Sequence, residues 1–248
     1  MNLYRDEGVV LRTHKLGEAD RIVVFMTAGR GKVRAVAKGV RKTKSRFGGR
    51  LEPPLHVSLL LYQGRDLSIV NQAETIDHYR SIREGLDRMT DALALVEAVD
   101  QVAQEGEPNA ALYRMLTGAL RTLSESAERP PLLVAAFYWK LLALEGVSPI
   151  LDQCARCGAG AAVGGEEPTD LVSFDLVEGG ALCREHRRGS AVEPGALALV
   201  RRILGGQLGP VLAESPSPHA AAVSALATSA LESHLERRLR TVHLLGRG

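Results

Sequence analysis

Near His78 the spacing of apolar residues changes character, and a chain that changes it there cannot be built as one sheet or one helical bundle throughout. From Tyr4 to Glu74 the apolar side chains come in short β-branched runs with partial alternation, separated by polar or glycine-containing breaks. The runs Gly8–Thr13, Arg21–Thr27, Lys32–Ala37, Leu55–Tyr62 and Leu67–Ala73 predict strands. Ala28-Gly29-Arg30-Gly31 and Gln63-Gly64-Arg65-Asp66 have the length and glycine content of hairpin turns. Five short strands in about seventy residues predict a small closed barrel.

Beyond His78 the period becomes that of a helix. Leu86, Met89, Leu93, Val96 and Val99 form one stripe, Leu112, Met115, Leu116, Ala119 and Leu123 a second, and Leu132, Leu133, Ala136, Trp139, Lys140 and Ala143 a third. Pro108-Asn109 and Pro130-Pro131 separate them. Pro194–Leu204 and a long segment from about Pro218 to Leu245 predict further helices. Between Ser148 and Ser190 the helical pattern is interrupted by a segment with all three cysteines, the pairs Gly164-Gly165 and Glu166-Glu167, and the β-like run Leu171-Val172-Ser173-Phe174. The expected class is β followed by α in two domains, residues 1–79 and 80–248, the second with an insertion at about 150–190.

Charge follows the same division. The net charge is +2, yet residues 1–50 hold 13 Lys and Arg against 4 Asp and Glu. The most basic stretch is Lys38-Gly39-Val40-Arg41-Lys42-Thr43-Lys44-Ser45-Arg46-Phe47-Gly48-Gly49-Arg50, six cations in thirteen residues with no acid. Its like charges repel, and it falls between the third and fourth strands, so it predicts a solvated, mobile loop that a polyanion would settle. Contacts to phosphates would weaken steeply with salt and depend little on sequence. Phe47 and Tyr62 are the rings that could stack on bases, and each reads better as core or turn packing. Arg237, Arg238 and Arg240 on the predicted last helix read as a solvated face, with a second anionic contact as the alternative.

Cys154-Ala155-Arg156-Cys157-Gly158 is a knuckle in which two thiolates can face one ion, and Cys183-Arg184-Glu185-His186 repeats the spacing with His in the last place. Cys154, Cys157, Cys183 and His186 make a Cys3His set suited to structural Zn2+, with no position left for the water a catalytic zinc needs. The 25 residues between the halves exceed the common ribbon spacing of roughly 15–20. Three cysteines so arranged fit a reducing compartment. No run approaches the roughly eighteen apolar residues of a membrane span, and Met1–Asp6 lacks signal-peptide regions, so a cytoplasmic protein without membrane contact is expected. Walker, G-x-G-x-x-G, H-E-x-x-H and G-x-S-x-G patterns are absent. His14, His56, His78, His219, His234 and His243 are scattered and read as surface or capping residues. Glu18 and Asp20 read as turn-stabilising before Arg21.

Several segments together resemble the RecO family of bacterial DNA-repair and recombination mediators. They are Glu7-Gly8-Val9-Val10-Leu11-Arg12, Leu16-Gly17-Glu18-Ala19-Asp20-Arg21, Gly31-Lys32-Val33-Arg34-Ala35-Val36-Ala37-Lys38-Gly39-Val40-Arg41, Gly49-Arg50-Leu51-Glu52-Pro53 and the Cys154–Gly158 knuckle. The resemblance implies an N-terminal OB-fold, a helical domain with an inserted zinc knuckle, and binding of single- and double-stranded DNA. It also implies annealing of complementary strands, partnership with RecR, and help in loading RecA onto DNA coated with single-strand binding protein, all without catalysis and in association with the nucleoid. His186 stands where the family pattern has cysteine. The expected DNA contacts are Arg34, Lys38, Arg41, Lys42, Lys44, Arg46 and Arg50. The rival readings are a module that grips acidic proteins and a zinc-dependent hydrolase or nuclease.

Overall fold

The structure, a computed structural model, describes residues 2–160, 171–214 and 217–241. Gly164-Gly165, Glu166-Glu167 and His243 lie outside them. The chain forms two compact units, Met1–Arg129 with Leu239–Gly248, and Pro130–Arg238.

The first unit opens with five strands, β1 (Leu3–Leu16), β2 (Asp20–Thr27), β3 (Gly31–Ala37), β4 (His56–Tyr62) and β5 (Ser68–Asp77), closed into a barrel in the order β1-β2-β3-β5-β4. β1 extends beyond the predicted Gly8–Thr13 at both ends because it serves two neighbours. Leu3–Val9 pair with β4 and Gly8–Leu16 with β2, with a register shift between Val10 and Arg12 that bends the strand. The circle closes on a short parallel contact, Ala35 opposite Ser68 and Val36 opposite Ile69. Alternation decides what points inward: Val57, Leu59 and Leu61 of β4 are buried while Ser58, Leu60 and Tyr62 are partly exposed. Val10, Val23, Phe25, Ala35, Ala37 and Val70 complete this aliphatic core, and Phe47, Leu51 and Leu55 enter it from the long β3–β4 connection.

Three helices belong to the same unit: α1 (Arg80–Glu84), α2 (Leu86–Val102) and α3 (Ala110–Glu125). The single turn α1 has too few residues to show a period, and the apolar spacing does not reveal it. Asn109 caps α3, its Oδ1 accepting from the Leu112 N–H at 2.9 Å. Asp100 of α2, 6 % exposed, receives Arg12 Nε at 2.6 Å, and Lys32 Nζ donates to its carbonyl at 2.7 Å. His56 Nε2 meets the Tyr113 hydroxyl at 2.7 Å in a buried contact between β4 and α3. His56 is therefore not a surface histidine. Its sequence neighbours Leu55 and Val57 carry no sign of a partner 57 residues away.

In the second unit α4 (Leu133–Leu144) is buried nearly all round, with Phe137, Tyr138, Trp139, Leu141 and Leu142 all inside. A three-stranded sheet follows, β6 (Leu171–Asp175), β7 (Gly180–Cys183) and β8 (Ser190–Ala191), in the order β7-β6-β8. The predicted run Leu171–Phe174 is its central strand. α5 (Pro194–Leu204), α6 (Leu208–Ala213) and α7 (Ala220–His234) complete the unit. The predicted helix from Pro218 to Leu245 is broken within the described residues, its positions 242–245 lying outside them. It ends at His234, and Glu236 turns the chain at φ 49°. Arg237, Arg238 and Arg240 thus follow the last helix instead of lying on it. Backbone N–H groups of Arg240 and Thr241 donate to the Glu97 carboxylate, each at 2.8 Å. Among the described residues no helix is long and apolar enough to cross a membrane.

Candidate nucleic-acid interface and metal centre

Between β3 and β4 the basic stretch is a succession of turns, not the open loop its charge predicts. Lys42 N–H donates to Gly39 O, Ser45 N–H to Lys42 O, Gly48 N–H to Ser45 O and Arg50 N–H to Phe47 O, at 2.9–3.3 Å. Its entry is tied to the β1–β2 turn: Arg41 N–H donates to Ala19 O at 2.9 Å, and Gly39 N–H to Asp20 Oδ1 at 2.7 Å. Asp20 thus holds the start of the basic stretch, 19 positions later, and not the turn before Arg21 that its place in the sequence suggests. Gly39, at φ 67°, and Gly48, at φ 53°, adopt the left-handed backbone that these turns require.

Phe47 explains why a chain segment with so many cations holds a shape. Its ring is 1 % exposed within the barrel core, so it plugs the stretch into the apolar interior. The Arg46 guanidinium lies 4.8 Å over the same ring. Arg46, Phe47, Arg50 and the Asn71–Glu74 segment of β5 line a groove of about 350 Å³.

Lys38, Arg41, Lys42, Lys44, Arg46 and Arg50 are all exposed. The arginines are partly committed to main-chain carbonyls, Arg41 to Glu18 O at 2.9 Å, Arg46 to Val70 O at 3.4 Å and Arg50 to Arg46 O at 3.1 Å. None of the six meets a carboxylate among the described residues. They form a cluster of like charge without counterions on a fixed platform, which attracts a polyanion more strongly than scattered charges do. Arg34 differs: it sits on the outer side of β3 and pairs with Glu105 at 3.5 Å. Nothing in the local sequence of Arg34 points to a partner 71 positions later.

The Cys3His set comes together as its spacing predicts. One donor atom each from Cys154, Cys157, Cys183 and His186 lies within 4.8 Å of all the others. Cys157 Sγ to Cys183 Sγ is 3.9 Å, Cys154 Sγ to His186 Nδ1 3.9 Å, and Cys183 Sγ to His186 Nδ1 3.4 Å. A tetrahedral zinc with its usual bond lengths places two sulfurs about 3.8 Å apart and a sulfur and a nitrogen about 3.6 Å apart. The residues therefore fit that ion, and the sulfur separation is far from the roughly 2.05 Å of a disulfide. His186 takes the fourth place, its imidazole Nδ1 facing Cys154 and Cys183.

Local structure holds these donors. Cys154 N–H donates to Ala159 O and Gly158 N–H to Cys154 O, closing the knuckle, with Gly158 at φ 73°. Ala155 N–H donates to Ala181 O, which fastens the knuckle to β7. Gly180 has to be glycine, because a Cβ there would lie 2.5 Å from Ile150 O. A 3-10 turn, Arg184–His186, then brings the imidazole back onto Cys183. Burial pushes the Cys154 thiol up, but backbone N–H groups of Cys183, Cys157 and Arg156 outweigh it and bring the pKa down to about 6. For Cys157 the Ala159 N–H favours the thiolate, yet burial and the neighbouring Cys154 and Cys183 sulfurs push it up. Such a set releases protons when it takes up a cation.

A family model described as Recombination protein O N terminal matches residues 1–79, and one described as Recombination protein O C terminal matches residues 83–243.

Proposed function

This chain belongs to the RecO family of DNA-repair and recombination mediators, and from that premise we propose that its barrel binds DNA backbone through the Lys38–Arg50 stretch. One observation carries the reading: six exposed cations without a carboxylate partner are held on turns that Phe47 pins to the barrel core. Lys38, Arg41, Lys42, Lys44, Arg46 and Arg50 contact phosphates of single- and double-stranded DNA. Arg34 contributes only where DNA displaces Glu105. The division of labour follows residues 1–79 for DNA and 80–248 for protein partners.

The proposed role needs no catalytic group. Screening the charge of two strands raises their encounter rate and leaves base pairing to select the partner, which is annealing. RecR, single-strand binding protein and, through them, RecA are the proposed partners, and the nucleoid in the cytoplasm is the proposed location. Cys154, Cys157, Cys183 and His186 hold a structural Zn2+ that ties the knuckle to β7. Four protein donors close that shell, which favours a structural ion over the hydrolase or nuclease reading.

A salt titration of binding tests this. Replacing Lys38, Lys42 and Lys44 by Ala removes charge without touching a hydrogen bond of the platform. Each lost phosphate contact lowers the slope of log K against log salt by about 0.7–0.9, so the triple variant should lose about 2–3. An unchanged slope and affinity would refute the assignment and favour an acidic protein as the ligand.

A further inference from the structure

We propose that the barrel has a second phosphate-binding groove, at the opposite end of β2 and β3, which holds a second nucleic-acid strand. The inference rests on the Lys38–Arg50 stretch being the site of the first. The groove, about 590 Å³, lies between the start of β1, the β2–β3 turn and the β4–β5 turn. β2 has eight residues, so at about 3.3 Å per residue its two ends are about 23 Å apart.

Arg5, Arg30 and Arg65 line this groove, are exposed, and meet no carboxylate among the described residues. The Arg30 guanidinium lies 4.0 Å over the Tyr4 ring, whose hydroxyl is 3.1 Å from Ser68 Oγ. Stacking holds the planar fork and leaves its N–H edges for an acceptor, the arrangement that suits phosphate. The acids on the same wall are partly committed. Asp6 Oδ1 accepts from the Gly29 and Glu7 N–H groups, and Glu105 pairs with Arg34. Asp6, which meets only backbone N–H groups and keeps its charge, and Asp66 are left to oppose three arginines.

The two cationic ends are not joined into one track. Lys32 and Arg34, which line the inner edge of this groove on the outer face of β3, are drawn to Asp100 and Glu105, so the cations on the side facing the basic stretch are already paired. A strand seated at one end gains nothing by continuing to the other. Two grooves on one rigid barrel instead favour two strands held at once, each by its backbone with its bases free to pair.

Native mass spectrometry of the full-length, zinc-loaded protein with two non-complementary twelve-nucleotide strands of different mass tests this at low salt. The native chain should give complexes of one protein with two strands. Arg5→Ala/Arg30→Ala/Arg65→Ala should give one strand per protein at the strand concentrations that load two on the native chain, with first-strand affinity within about twofold; any second-strand binding left at higher concentration should have its salt slope lowered by about 2. Arg65→Glu, in an exposed turn, serves as an independent check that leaves the Tyr4 stack intact. The inference is overturned if the native chain never carries two strands, or if both variants still do. It is also overturned if the triple variant loses first-strand affinity, which would mean one strand spans both ends. Lys38→Ala/Lys42→Ala/Lys44→Ala should remove the first strand. If that variant binds like the native chain, the proposed role of the basic stretch fails separately.

Discussion

Phe47→Ala separates two accounts of the same ring, a core plug and a platform for bases. A phenylalanine side chain buries about 150–250 Å². At about 25 cal/mol per Å² its complete burial contributes about 4–6 kcal/mol. Alanine keeps only the Cβ, and Phe47 is 1 % exposed among Val10, Phe25, Leu51 and Leu61, so truncation should cost about 3–5 kcal/mol. For a chain of this size each kcal/mol moves Tm by about 2–4 °C, which gives a fall of roughly 10 °C in the unfolding of the barrel followed by circular dichroism. Phe47→Leu refills most of the space and should recover all but about 1 kcal/mol. DNA affinity measured well below the transition should fall for Phe47→Ala, because the turns lose their anchor and the cations disperse. Phe47→Leu should bind nearly as the native chain does. Unchanged Tm in Phe47→Ala together with weakened binding by both variants would refute the argument, since only a ring that meets bases behaves that way.

Other perturbations address the remaining contacts. Replacing Cys154 and Cys157 by Ser should lower the Tm of the second unit by about 10 °C, since metal a thousandfold above its Kd stabilises by about 4 kcal/mol. His186→Cys should keep both metal and Tm, read by elemental analysis and calorimetry. Asp100→Ala leaves Lys32 beside α2 with no counterion, and because Arg12 is 48 % exposed the expected loss is about 2–3 kcal/mol, measured by urea unfolding. Burial holds the His56 pKa below its ordinary 6.5, against the charges of Glu7 and Asp77 that raise it and with that of Arg121 that lowers it. The unfolded chain then takes up a proton that the folded one resists, so the stability from neutral His56 is complete above pH 6.5 and is lost as pH falls below it. His56→Gln should flatten that acid limb in urea midpoints measured from pH 5 to 8.

What the sequence made legible was whatever repeats within a few positions. Alternation in Val57, Leu59 and Leu61 marks β4, and paired x-x spacing marks the metal donors, because each signal is local and its geometry follows from a single turn or pleat. The extent of β1 was not legible, because its first residues are held by β4 more than fifty positions away. His56 looked ordinary for the same reason, its partner being Tyr113. The basic stretch misled in the other direction. Its composition speaks for an unstructured loop, but one aromatic residue outweighs that composition when the barrel has an apolar opening for it. The end of α7 escaped because Ser233-His234-Leu235-Glu236 contains neither glycine nor proline, and a non-glycine residue at positive φ gives no advance notice.

That the basic stretch is built of turns changes how its proposed work is done. Ordering a flexible backbone on binding costs about 1–2 kcal/mol per residue, and over thirteen residues that would offset most of what six phosphate contacts contribute. With the turns already formed, only side-chain freedom is lost, and the lysines have no partner to abandon. Lysine contacts to phosphate have little directional demand, so they break and reform without a preferred register. A strand held this way stays bound while its bases shift against a second strand in search of a match. A rigid backbone with loose lysine heads therefore suits annealing better than either a mobile loop, which would bind too weakly, or a set of bidentate arginines, which would hold one register. The arginines at Arg41, Arg46 and Arg50 agree with this division, since each has part of its fork engaged by a carbonyl of the platform itself.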